Sequence, residues 1–127
     1  MLLHDLLTGK SCGALLRGRR VLVVEDEFLI AEDLCEELQS CGAKVMGPAA
    51  SVAEALALLD HGPAPDMAVL DIGLEDEKVY PVADALRARG IPFVFATGYD
   101  AWVIPHAYTD VPRVEKPVGL RGVSLAP

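Results

Sequence analysis

From Arg20 onward, short β-branched and apolar runs alternate with longer segments in which apolar residues recur every three or four positions. Parallel strands need crossovers between them, and helical crossovers cover both faces of the sheet, so this alternation points to an α/β chain with a parallel sheet. Val21-Leu-Val-Val24 contains no polar residue, as a strand buried on both faces requires, and it stops at Glu25-Asp26-Glu27. Ile30, Leu34, Leu38 and Cys41 then form one face of an amphipathic helix, with Glu32, Asp33, Glu36 and Glu37 on the other and Gly42 ending it. A second strand is expected over residues 43–46. Ser51-Val-Ala-Glu54 reads as a capping box opening a helix through Leu59, with Val52, Ala55, Leu56 and Leu59 inward. The third strand, Met67-Ala-Val-Leu70, ends on Asp71. Pro81 suits the first turn of a helix running to Arg89-Gly90, and Pro92-Phe-Val-Phe-Ala96 is a fourth strand ending at Thr97-Gly98. A short helix over residues 102–108 and a fifth strand over 111–115 complete the pattern, both restricted by proline.

The chain has 127 residues, the size of one domain, and its 52% hydrophobic content suffices for a core of ordinary size. A formal net charge of -8 argues against a nucleic-acid surface, which needs clustered Lys and Arg. Cys12, Cys35 and Cys41 lack CxxC spacing, so all three are read as structural, with neither a disulfide framework nor a zinc site, in a reducing cytoplasmic compartment. The Leu-rich start is interrupted by His4, Asp5 and Lys10, and its basic residues follow the apolar ones, the wrong order for a signal peptide. No stretch approaches the roughly twenty apolar residues of a membrane span, so no membrane association is expected.

Chemistry concentrates at strand ends. In a parallel sheet these ends gather on one edge, and in the doubly wound order 2-1-3-4-5 the first and third strands flank the switch point. Glu25, Asp26 and Asp71 would meet there, where mutual repulsion calls for a cation, and hard oxygen donors suit Mg2+. The fourth strand brings the Thr97 hydroxyl to this edge and the fifth the Lys116 ammonium. A carboxylate nucleophile, a hard cation, a hydroxyl donor and a fixed positive charge are what in-line phosphoryl transfer requires.

Val21-Leu-Val-Val-Glu-Asp-Glu27, Val69-Leu-Asp71, Ala96-Thr-Gly98 and Glu115-Lys-Pro117, in order and at fitting separations, resemble the four signature sites of response regulator receiver domains. Pro92-Phe-Val-Phe-Ala-Thr-Gly-Tyr99 is similar to the single-domain subtype with a Phe-Ala-Thr-Gly-Tyr signature. The resemblance implies a flavodoxin-like fold over residues 20–118, preceded by a helical Leu-rich extension (1–19) and followed by an irregular tail (119–127). It implies that Asp71 is the phosphoacceptor, served by a histidine kinase or histidine phosphotransfer protein. Asp26, Asp71 and the Gly73 carbonyl would hold Mg2+, with Glu25 acting through water. Thr97 would follow the phosphoryl group, and Lys116 would pair with it across a cis Lys-Pro bond. Such a domain assists its own phosphorylation and dephosphorylation without being an enzyme.

Three departures modify that expectation. Receivers carry an aromatic switch residue three positions before the lysine, where this chain has Arg113. Two positions beyond Asp71 and Thr97 stand Gly73, which offers no polar group to orient attacking water, and Tyr99, which is bulky, so a long-lived acyl phosphate is expected. The last ten residues, with two glycines and a final proline, cannot build the last helix, and the Leu-rich extension is expected either to fill its place or to pack on a second copy in a homodimer. No output domain is expected to follow, so the signal would leave through protein contacts or by phosphoryl passage to another protein. The competing expectations are a degenerate receiver acting as an adaptor without phosphorylation and a Mg2+-dependent phosphatase-like enzyme, although the latter usually needs Asp-x-Asp where this chain has Asp71-Ile72-Gly73. Thr8-Gly-Lys-Ser11 lacks the first glycine of a phosphate loop, and His4, His61 and His106 have no metal-ligand spacing.

Overall fold

The computed structural model describes residues 16–72, 78–97 and 106–115. Within them lie strand β1 (Arg20–Val24), helix α1 (Phe28–Ser40), β2 (Lys44–Ala49), α2 (Val52–His61), β3 (Met67–Asp71), α3 (Tyr80–Ala88), β4 (Phe93–Thr97), a 3-10 turn (His106–Tyr108) and β5 (Arg113–Glu115). The strands form one parallel sheet in the order β2-β1-β3-β4-β5, the doubly wound order expected. No helix among the described residues is long and apolar enough to cross a membrane.

Alternation along the strands divides the core in two. Val21, Val23, Met67, Val69, Val94 and Ala96 face α1 and join Leu34, Leu38 and Leu16, while Leu22, Val24, Leu70 and Phe95 face the opposite way, towards α2 and α3. Leu16, at the end of the Leu-rich extension, is fully buried in the first cluster. Expectations for residues 1–15, Gly73, Tyr99, Lys116, the Lys116-Pro117 bond, the last helix and the tail over 119–127 lie outside the described residues.

Local signals produce most of the elements directly. The Ser51 hydroxyl accepts from the Glu54 N–H at 3.1 Å, and the Glu54 carboxylate accepts from the Ala50 N–H at 2.9 Å, so the box reaches one residue ahead of the cap. Gly42, with φ of 86°, turns the chain out of α1. Glu37 is a correction, because it lies buried, three residues after Leu34 on the inner side of the helix. Cys41 is a second one: it is disulfide-bonded, while Cys35 is free and half-buried, and burial pushes its thiol pKa up. Spacing along the chain does not report distance in space.

Strand β2 is longer than the expected 43–46 because pairing with β1 resumes at Val24 and Ala49 after an irregularity that absorbs Gly47 and Pro48. The peptide between them is cis. A Gly-Pro pair is a turn signal, which hides the continuing strand. Gly47 has φ of 101°, and a Cβ there would stand 2.7 Å from the Ala49 nitrogen and 2.8 Å from the Val23 carbonyl oxygen. Backbone atoms on two sides cannot yield. Gly47→Ala is therefore expected to cost more than about 1 kcal/mol, read as a lowered urea midpoint with unchanged slope.

On the other flank, Tyr80, Asp84 and Arg87 lie along one face of α3 at positions i, i+4 and i+7. The Tyr108 hydroxyl donates to Asp84 Oδ1 at 2.6 Å, and its ring stacks on Tyr80 with centroids 4.8 Å apart. Arg87 donates to the Ala107 carbonyl at 3.1 Å and to Asp110 Oδ1 at 2.7 Å, with its guanidinium 5.2 Å from the Tyr108 ring centre. The hydrogen bond to Asp84, followed by burial, pushes the Tyr108 pKa above its ordinary value. The folded phenol thus keeps its proton where the unfolded chain ionises. Its stabilisation is complete below about pH 10 and is lost as pH rises towards the folded value. Between about pH 9 and about pH 11, the urea midpoint of the wild type should fall further than that of Tyr108→Phe.

Candidate phosphoacceptor and metal site

Parallel register sets the geometry of the sheet's C-terminal edge. Val24 pairs with Leu70, so Glu25 and Asp71 occupy equivalent positions at the ends of the two central strands. Asp71 pairs with Ala96, and Thr97 with Glu115, the residue before Lys116. β1 stands between β2 and β3, with α1 packed on the opposite face from α2, so the crevice opens where the order reverses.

Backbone bonds hold the carboxylates in place. The Glu25 N–H donates to the Ala49 carbonyl at 2.9 Å, and the Ile72 N–H donates to the Ala96 carbonyl at 3.2 Å, each fixing the chain just beyond a strand end. Glu25 Oε2 accepts from the Glu27 N–H at 3.0 Å, which orders the turn into α1. Glu25 and Asp71 are buried, with 4% and 1% exposure, whereas Asp26 is partly open. One carboxylate oxygen from each of Glu25, Asp26 and Asp71 lies within 4.8 Å of the others.

That convergence fits a hard divalent cation. Three oxygen donors from two strand ends leave room for water, which Mg2+ retains in its shell, and a cation offsets the cost of placing anions side by side. The structure thus brings together Glu25, Asp26 and Asp71 of the expected set and ends β4 on Thr97. Gly73 and Lys116 lie outside the described residues, and the side chains of Thr97 and Arg113 are not described.

Two features had no counterpart in the sequence reading. Phe28 and Leu29, with 73% and 67% exposure, project from the first turn of α1 directly after the acidic triplet. Their adjacency to Glu25-Asp26-Glu27 was the available signal, but helical period alone makes an apolar pair look like core. The other is the attachment of Tyr108 to α3, for which no local pattern exists.

No protein-family model matches the chain. Among solved structures, SdrG from Sphingomonas melonis Fr1 is 42% identical with a TM-score of 0.73, over 83% of this chain and 89% of that one. SdrG from Pseudomonas melonis Fr1 in a BeF3-activated conformation is 40% identical with a TM-score of 0.69, over 81% of this chain and 87% of that one. Among curated proteins, the sensory transduction protein LytT of Bacillus cereus is 35% identical over 88 residues, 67% of this chain and 35% of its own length. The phyllosphere-induced regulator PhyR of Methylorubrum extorquens is 33% identical over 81 residues, 62% of this chain and 30% of its own. The chain spans about a third of the length of these curated relatives.

Proposed function

The chain belongs to the response regulator receiver family, and from that premise we propose that it works in a phosphorelay, with Asp71 taking a phosphoryl group from a histidine kinase or histidine phosphotransfer protein. The observation that carries this reading is the convergence of Glu25, Asp26 and Asp71 within 4.8 Å at the switch point of the sheet. An Asp71 carboxylate oxygen attacks the phosphorus in line, forming an acyl phosphate as the phosphorus bond to the donor nitrogen breaks. When bound, Mg2+ supplies neutralisation of charge on the transferred oxygens, and Asp26 and Asp71 hold it with Glu25 at hand. Burial of Asp71 keeps bulk water from the acceptor, and we assign to the phosphoryl oxygens Thr97, the last residue of β4, and Lys116, the residue that follows β5 in sequence. Phe28 and Leu29 offer the partner an apolar surface beside the site. On this reading the chain is no enzyme and passes its signal through protein contacts.

Incubation with acetyl phosphate and Mg2+, followed by intact mass, tests the proposal. One added phosphoryl group, absent when Mg2+ is chelated, is the expected result. Continuous release of phosphate without an adduct would identify a phosphatase instead, and an unchanged mass would leave an adaptor.

A further inference from the structure

The β4–β5 connection starts at Thr97 and leads, through the 3-10 turn, to β5 and Lys116, the two residues that the proposed reaction places against the phosphoryl oxygens. Both flanks of this connection are fastened to the same helix. On the β4 side, Phe95, two residues before Thr97, packs edge-on against Tyr80 at 6.0 Å and Tyr108 at 6.2 Å. On the β5 side, Tyr108 and Asp110 are bonded to Asp84 and Arg87. The Phe95 N–H also donates to the Pro112 carbonyl at 2.9 Å, which bonds β4 to the residue that enters β5.

We propose that the Tyr80–Asp84–Arg87 stripe of α3 is a positioning bracket for phosphoryl transfer, setting through Tyr108 where the ends of β4 and β5 stand relative to Asp71. This inference rests on the reading of Asp71 as acceptor. The Arg87–Asp110 ion pair is substantially exposed and contributes little alone. Its effect comes from acting together with the guanidinium bond to the Ala107 carbonyl and the Tyr108 hydroxyl bond to Asp84, three attachments over four residues. Transfer that depends on positioning is sensitive to displacements of about 1 Å, whereas metal binding by Glu25, Asp26 and Asp71 draws on the ends of β1 and β3, to which none of the three bracket attachments runs. The bracket therefore separates two measurable quantities.

The test uses the full chain in three forms: wild type, Arg87→Met, which keeps the apolar stem and removes the donors, and Tyr108→Phe, which removes one hydroxyl. Adduct formation from acetyl phosphate is timed by intact mass, and Mg2+ affinity is measured by calorimetry on the same samples. The expected result is a rate lowered about tenfold in Arg87→Met and less in Tyr108→Phe, with Mg2+ affinity unchanged in both. Rates equal to wild type in both variants overturn the bracket alone. So does a parallel loss of Mg2+ affinity, which would signify general loosening. A wild type that takes no phosphoryl group overturns the acceptor reading and the bracket's role with it.

Discussion

Asp71→Asn is expected to take up no phosphoryl group from acetyl phosphate under conditions that modify the wild type. The amide lacks the anionic oxygen that attacks phosphorus, and neither neighbouring carboxylate can replace it. Glu25 is committed to the Glu27 N–H at the turn into α1, and Asp26 leads out of β1 on the partly open side of the cluster. The same substitution removes one of three oxygen donors lying within 4.8 Å of one another. Mg2+ should therefore raise the melting temperature of the wild type more than that of the variant, because a ligand stabilises in proportion to its affinity for the folded state. In Mg2+-free buffer the ordering should narrow or reverse, since mutual repulsion falls from three carboxylates to two. An adduct on Asp71→Asn with the mass of a phosphoryl group would assign the acceptor elsewhere.

The largest expected loss of stability is in Phe95→Ala, at about 3–5 kcal/mol, measured as a fall in the urea midpoint. Phe95 is fully buried, pairs with Leu70 across the ladder, and meets Phe93, Tyr80 and Tyr108 edge-on. Truncation leaves a cavity bounded by a central strand and an α3 face already tied to Tyr108, so little can collapse into it. Phe95→Leu refills most of the volume and should recover much of the loss. A cost for Phe95→Ala below about 1 kcal/mol would mean that the site behind β4 relaxes freely.

Legibility differed from element to element for identifiable reasons. β1, β3 and β4 were plain because a strand buried on both faces is a continuous apolar run, and each run ends in the polar residue that the site uses. α2 was plain because its cap is encoded within four residues, Ser51 to Glu54. β2 was read too short because Gly47-Pro48 looks like a turn, although the pairing continues to Ala49. Glu37 was assigned to the polar face because charge normally marks solvent, yet its angular position on α1 places it inward. β5 was shorter than expected, since it has too little apolar period to define its own ends, and of the helix expected over 102–108 only the 3-10 turn His106–Tyr108 lies among the described residues.

The sequence by itself determined the order of the elements, the runs that must be buried, and the residues that close each central strand, because periodicity and strand-end polarity are local properties. Only the tertiary structure decided that Glu25, Asp26 and Asp71 converge, since that depends on the register of β1 against β3. It alone decided that Tyr108 is bonded to Asp84, 24 positions away, and lies with its ring centre 5.2 Å from the Arg87 guanidinium, although neither residue shares a pattern with it. Contacts between distant segments follow from strand register and from the direction of each side chain, and neither is written in the spacing of residues along the chain.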